Sequence, residues 1–591
     1  MRGKVMAKRL FKWLGLAAGV VALLAAAFWL YLAPPSSPDE ILFHGGDVVT
    51  VTGSTEEALL IRGGRIVAVG PLATVEAAAS GSAIRVDLEG RALLPGLIEP
   101  HTHPIATAQF GAAVDVSGFT HSSRASIIAA LKEAAEGWQP TGWVVAFGWD
   151  PVMVDDLEPP TLAELDAISP DRPLMILTQM MHDAYVNSRA LEAAGITRDT
   201  PNPPGGEFLR DSTGALTGTV REIAALKAIS SAMPTPPEGA TDLLVNLELA
   251  HYARAGFTTI AAAGLVGNTP APVALMKRLA AHTQAPVQVS LYGLPHQLPD
   301  RGGPEAATLP AALIGVKFWM DGSPYAGGAA FAEPYETSEL TTHRLHLHPG
   351  HMGPINYDAD TFADLFEQYH TRGYQVAVHV QGERAADRVL DTVEAVLARH
   401  PRADHRHRLE HNALITKAQL ARAASLGMTT SFFVDHVTFY GHRLPELVGE
   451  RTNRYMPVKS ALEAGLKVSL HSDNPATPIG PLRTLKAAVT RQPRRGGPKV
   501  AAHEAISREA ALRAMTIDAA WQLGLEGERG SLEAGKAADL VLMSENPLTA
   551  DLDRLDGIEV IDTWIAGRRV DTRQATRTNA GLLLDTLGAM F

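Results

Sequence analysis

Six residues of metal-binding type stand at or near the ends of short apolar runs, and that recurrence constrains the fold more than any other feature of the chain. His101 and His103 close LLPGLIEPHTHP, Lys317 lies in IGVKFWMDG, His379 in YQVAVHVQG, His411 in RHRLEHN and Asp473 in LKVSLHSDNP. Each run is rich in Val, Ile, Leu or Phe and reads as a buried strand that delivers its polar residue as the run gives out. In a (β/α)8 barrel the C-terminal ends of all strands open on one face, so residues hundreds of positions apart can share a site. Eight strand candidates can be counted, at about 92–100, 257–262, 286–293, 313–320, 374–380, 406–411, 428–434 and 466–472. Most are followed by an amphipathic stretch such as TFADLFEQYHTRG or ADRVLDTVEAVLARH, the alternation expected of a parallel barrel.

The ends of the chain have a different texture. ILFHGGDVVTVTG and EEALLIRGGRIVAVGP alternate apolar and polar residues around glycines, and KAADLVLMSENP and VIDTWIAGRRV do so again near the C-terminus. These patterns predict a small β-sandwich with an N-terminal part at 41–91 and a C-terminal part at 529–575, flanking a barrel at 92–528, with a tail at 576–591. The gap between the first two barrel strands is too long for one crossover. An inserted subdomain is therefore expected at about 105–240, with TLAELDAISP as a capped helix, RPLMILTQ as a strand, and PNPPGGEFLRDSTGALTGT as Gly- and Pro-rich turns over the site.

Arg2, Lys4, Lys8, Arg9 and Lys12 precede an uncharged apolar run from Trp13 to Ala33, about 21 residues, which as a helix would span roughly 30 Å of hydrocarbon. A cleaved signal peptide is the competing reading, but its apolar region is usually only about 7–15 residues long. Residues 1–34 are thus expected to be a membrane anchor or uncleaved signal, followed by a Pro- and Ser-rich tether at 35–40. The positive-inside bias then places the catalytic part across the membrane, in a periplasm or outside the cell. A formal net charge of −12 argues against nucleic acid as a partner, because phosphate binding needs a basic patch. The absence of cysteine removes disulfides, thiol nucleophiles and thiolate ligands, which leaves imidazole, carboxylate and modified lysine for metal chemistry.

His101 and His103 are separated by one residue, so on a strand both point the same way and can bind one ion. Spacing alone is weak, since His346/His348 and His405/His407 repeat the pattern among 22 histidines. Only the first pair ends a long apolar run. The 343–351 histidines read as a solvated or substrate-side loop, and His405 and His407 as the start of the sixth strand. Lys317 sits within an apolar strand, where an unpaired ammonium would be costly to bury; a metal site gives it a reason to be there.

The ordered set LLPGLIEPHTHP, MHDAYVNSRALEAAGI, PGGEFLRDSTGALTGTVRE, VKFWMDGSPYAGGA, VHVQGERAADRVLD, RLEHN, HSDNP and SLEAGKAADLVLM resembles the amidohydrolase superfamily over about residues 41–572. Within it the chain is similar to the amidohydrolase family 3 branch of YtcJ-like and N-substituted formamide deformylase-like proteins. The resemblance implies a (β/α)8 barrel, a composite β-sandwich, and one or two divalent metal ions, usually zinc. It implies that His101, His103 and Asp473 bind the more buried ion, that Lys317, if carboxylated, bridges two ions, and that His379 and His411 bind the second. His182 lies in a motif the family shares and is placed near the substrate; Trp149 is a weaker candidate for a pocket wall. Two departures stand out: Glu383 where relatives commonly have Asp, and Asp435 with His436 where a less polar turn is expected.

The implied function is metal-dependent hydrolysis of a non-peptide C–N bond, foremost in a linear N-substituted amide, with Asp473 relaying a proton from water to the leaving nitrogen. Cyclic amides, carbamates, N-acyl amino acids and esters would suit the same ligands. A membrane-tethered binding protein that has lost catalysis is the reading from a different class. The insertion would roof the strand ends and limit the substrate to a small molecule, and Trp143, Phe147, Trp149, Tyr185 and Phe208 would favour an apolar one.

Overall fold

Eight parallel strands form the centre of the molecule: Leu97–Thr102, Phe257–Ala263, Gln288–Gly293, Ala312–Trp319, Gln375–Val380, Arg408–His411, Thr429–Phe432 and Val468–Leu470. This computed structural model describes residues 19–20, 22–27 and 37–570, apart from 140, 182, 204–205, 235–238, 268, 270 and 283–284. Each barrel strand pairs in parallel with the next in chain order, and nearly every residue in them is buried, as strands covered on both faces require. The first and eighth strands are not joined by a ladder. Ser472 Oγ donates to Glu99 across the seam at 2.8 Å, and the His103 amide donates to the Asn474 carbonyl at 3.0 Å, so the barrel is nearly closed.

The two ends of the chain share one eight-stranded sheet. Ala92–Pro95 pairs antiparallel with Leu540–Met543 and parallel with the first strand of the chain, Glu40–Val49, so N- and C-terminal residues are neighbours in a single ladder. Phe43, Leu59, Leu93, Leu540 and Trp564 pack into a common core beside it. The run expected to be one strand at 92–100 is therefore two. Pro95-Gly96 breaks it: Ala92–Pro95 belongs to this sheet and Leu97–Thr102 to the barrel. Glycine is required at the break because a Cβ on Gly96 would stand 2.2 Å from Thr258 Oγ1.

Between the first and second barrel strands lies a six-stranded sheet in the order Glu207–Arg210, Leu216–Arg221, Asp183–Val186, Leu174–Thr178, Val144–Trp149, Val114–Asp115. The helix Leu162–Ile168 is capped by Thr161, whose side chain accepts from the Glu164 amide, and Leu174–Thr178 is a strand. The segment expected as turns is only partly so. EFLR and LTGTVR pair as a hairpin, and the turn itself is DSTG, fixed by Asp211 Oδ1 accepting from the Thr213 and Ala215 amides.

The expected membrane anchor is not supported. Among the described residues no helix is long and apolar enough to cross a membrane. Of the apolar run 13–33 only 19–20 and 22–27 are described, as helix, and eight residues at 1.5 Å each reach about 12 Å against the roughly 30 Å needed. The rest of that run, the basic start and the first two residues of the tether lie outside the described residues, as does the tail at 576–591. The membrane partnership and the extracytoplasmic placement lose their basis with the helix.

Candidate metal centre

His101 is the hub of the strand-end cluster. Its Nδ1–H donates to Glu410 at 2.5 Å, which fixes the tautomer and turns the Nε2 lone pair inward, where Lys317 Nζ lies at 3.0 Å and Asp473 Oδ1 at 3.4 Å. His103 Nε2 lies 3.2 Å from the same Asp473 oxygen. His379 repeats the arrangement: its Nδ1 donates to Asp321 at 2.9 Å, and Asp321 is held by the amides of Ala330, Gln381 and Gly382. His411 stands with ring centroids 4.4 Å from His379 and 4.7 Å from His101. The six residues drawn from the sequence thus come together at one mouth of the barrel. His346 and His348 are exposed on a separate loop, His405 and His407 are buried where the sixth strand begins, and His182 lies outside the described residues.

Local backbone aims these groups. His411, Asn412 and Asp473 all adopt left-handed φ, at 75°, 60° and 53°, a costly conformation for non-glycine residues that turns each side chain out of its strand direction. Lys317 is fully buried, and Gly264 keeps room for it, since a Cβ there would stand 2.9 Å from Lys317 Cγ.

The electrostatics follow from burial. Lys317 is pushed down to about 8, chiefly by desolvation, against the pull of Glu410 and Asp473. Burial, then the Lys317 charge, holds His101 well below the ordinary imidazole value, and burial does the same to His411. For Asp473 burial alone would raise the carboxyl, but the His103 contact with the nearby His471 and Lys317 outweighs it and keeps the group below its usual range. Neutral imidazoles beside an ionised carboxylate are the protonation states a cation site needs.

The residues also fit a cation geometrically. Asp473 Oδ1 is buried without a hydrogen-bond partner, although two imidazole nitrogens face it. His101, His103 and Asp473 bring ligand atoms within 4.8 Å of one another, as do His101, His411 and His471. His471 was not singled out from the sequence; its Nε2 lies 3.0 Å from His411 Nδ1 and its Nδ1 2.7 Å from Ser431 Oγ. Arg408, Glu410 and Asp321 were also missed. The alternation of RHRLEH offered a signal, because Arg408 and Glu410 share the inward face of a strand that has no business carrying unpaired charge.

A cavity of about 530 Å³ lies beside this centre, between the insertion and the loops after the fourth barrel strand. Trp149, Tyr185, Gln179, Arg221, Tyr325 and Arg344 are among its walls, and none of the six cluster residues is. Of the five aromatics expected to favour an apolar substrate, Trp149 and Tyr185 face it, while Trp143 and Phe208 belong to the insertion's own core and Phe147 stacks on Phe110. The roof is attached: Gln179 donates to the carbonyls of Pro475 and Ala476, two and three residues after Asp473.

Barrel and strand-end cluster define the class, a parallel-barrel protein with a site suited to divalent metal. Residues 85–571 match the model of the Amidohydrolase family, and the chain belongs to that family; it is a hydrolase acting on carbon–nitrogen bonds. Over 528 residues it is 29% identical to N-substituted formamide deformylase of Arthrobacter pascens, covering 88% of this chain and 95% of that protein. It is 27% identical over 543 residues to putative amidohydrolase YtcJ of Bacillus subtilis strain 168, covering 90% and 99%. Among solved structures, an uncharacterized metal-dependent hydrolase from Pyrococcus horikoshii shares the fold with a TM-score of 0.68 at 21% identity, covering 87% of this chain and 99% of that one.

Proposed function

We propose that this amidohydrolase cleaves a small, mostly apolar, linear N-substituted amide, with His101, His103 and Asp473 holding one divalent cation, zinc in our reading. The observation that carries the reading is the unpartnered, buried Asp473 oxygen facing two imidazole nitrogens. A divalent cation held there supplies a Lewis acid that acidifies water and polarises a carbonyl. Asp473, ionised at neutral pH, takes the proton of the attacking water and returns it to the leaving nitrogen. Lys317, with its amine pushed down to about 8, is neutral often enough to add carbon dioxide, and the resulting carbamate would reach a second ion held by His379 and His411. His182 approaches the substrate in this proposal, on the strength of the shared motif alone.

The linear amide is favoured because the relative aligned over most of its length is named a formamide deformylase, and because Trp149 and Tyr185 give the cavity apolar walls. The test is a panel of N-benzyl formamides, N-acyl amino acids, hydantoins, carbamates and small esters, assayed with zinc or manganese. Release of amine from the formamides is the expected result. Turnover of only the cyclic imides or the esters would refute the linear-amide reading and leave the cluster standing.

A further inference from the structure

The unexpectedly polar turn after the seventh barrel strand puts an unused imidazole beside the centre. His436 is the second residue of the helix Asp435–Tyr440 and is 2% exposed. One face of its ring packs on Phe433 at 3.9 Å between centroids, and Phe433 in turn lies against His411 and His471 at 6.0 and 5.4 Å. Tyr325 packs edge-on with the same ring at 4.7 Å, and Tyr325 is a wall of the cavity. The imidazole therefore touches both a ring that walls the cavity and a ring that packs on the strand-end cluster. Its charged and titratable neighbours include Asp473 and His379.

A hydroxyl chain reaches the ring. Tyr325 and Tyr455 hydroxyls are 2.9 Å apart, and the Tyr455 hydroxyl lies 3.3 Å from His436 Nδ1. In the tautomer assigned here Nδ1 accepts from that hydroxyl, which leaves the ring proton on Nε2, a nitrogen with no protein partner among the described residues. Burial pushes this imidazole down to about 3, so it is neutral wherever the enzyme works and donates one hydrogen bond without carrying a charge.

We infer that His436 is a catalytic residue whose Nε2–H donates to the carbonyl oxygen of the scissile amide and to the oxyanion formed from it, an inference that rests on the amide-hydrolysis reading. Water oxygen bonds to the carbonyl carbon, the C=O π pair moves to oxygen, and His436 stabilises that charge without transferring its proton. Asp473 carries the water's proton to nitrogen, the C–N bond breaks, and C=O reforms to give a carboxylic acid and an amine. A neutral imidazole in this role gains strength from the dry surroundings, because a preorganised donor there needs no reorganisation as charge develops.

The experiment compares wild type with His436→Leu, His436→Gln and Tyr455→Phe on N-benzylformamide and the rest of the panel, each enzyme loaded with zinc or manganese and its metal content measured. His436→Leu is expected to lose about 10²–10³-fold in kcat with metal content and KM little changed. His436→Gln, which keeps an N–H near the Nε2 position, should recover at least tenfold of that loss. Tyr455→Phe should fall between wild type and His436→Leu, because the tautomer is no longer fixed. Equal losses in the Leu and Gln variants, loss of metal in step with activity, or full activity in His436→Leu would each overturn the role while leaving the reaction intact. A wild-type enzyme that cleaves no amide in the panel would overturn the amide reading and this role together.

Discussion

Arg408 and Glu410 meet in the barrel interior with no access to water, the Arg408 Nε donating to Glu410 Oε1 at 2.6 Å and Nη2 to Oε2 at 3.1 Å. Such a pair is tolerable only when its remaining groups are satisfied, and here Arg408 also donates to the Pro100 carbonyl and the Tyr292 hydroxyl while Glu410 accepts from His101. The pair fixes His101 as a ligand. Glu410→Gln should weaken metal binding by about 10–100-fold, read by chelator competition; unchanged affinity would reduce Glu410 to a counter-ion for Arg408. Lys317→Ala should lose metal and activity and regain part of both when a short carboxylic acid is supplied, since the vacated space can take a carboxylate. No recovery, or an unmodified amine seen by mass spectrometry in active enzyme, would remove the carbamate. The six strand-end residues could be read from the sequence because each interrupts an apolar run. His471, two residues before Asp473, was hidden by that same proximity, and Asp321 by lying beyond its strand in a glycine-containing turn.

Among the elements, all eight barrel strands lie close to where apolar runs place them, because a strand buried on both faces must be apolar along most of its length. The signal failed where two sheets divide one run, at Pro95-Gly96, since burial is equally complete on both sides of the break and only the close approach of Thr258 distinguishes them. It failed again in the insertion, where glycines and prolines mark turns but do not reveal that short, mostly half-buried strands run between them. The contact between insertion and barrel was invisible in principle, because it depends on Gln179 meeting backbone carbonyls almost 300 residues away. Gln179→Ala leaves the Pro475 and Ala476 carbonyls without these donors, at a cost of about 1–3 kcal/mol. Differential scanning calorimetry should show a lower Tm, and kinetics a lower kcat, with metal content retained. An unaltered kcat would mean that the roof can loosen without disturbing Asp473.

At the scale of the whole molecule, a second histidine cluster lies away from the metal-site mouth, where the sixth barrel strand begins. His407 Nδ1 accepts from the Val376 amide at 2.9 Å, so its Nε2–H donates to His370 Nδ1 at 2.9 Å, and His370 Nε2–H donates to the His400 carbonyl at 2.8 Å. His405 Nδ1 accepts from the His407 amide, and its Nε2–H donates to the Leu426 carbonyl. In each ring one nitrogen must accept, so protonating any of the three breaks a bond as well as placing charge in a dry site. Burial accordingly pushes His405 down to about 4, His370 below its ordinary value and His407 well below it. The sign is fixed by linkage. An unfolded chain binds protons at these positions below pH about 6.5 whereas the folded one does not, so stability is fully present above that pH and falls as the solution is acidified toward 4. The metal-free protein in chelator should therefore show a Tm that drops steeply between pH 6.5 and 4. His405→Gln should flatten part of that drop even if it lowers the Tm at neutral pH, because it removes one titrating group and leaves the strand-end imidazoles untouched. If the slope below pH 6.5 is the same in the variant and in wild type, the bonds that fix His405 in its neutral form contribute nothing to acid lability.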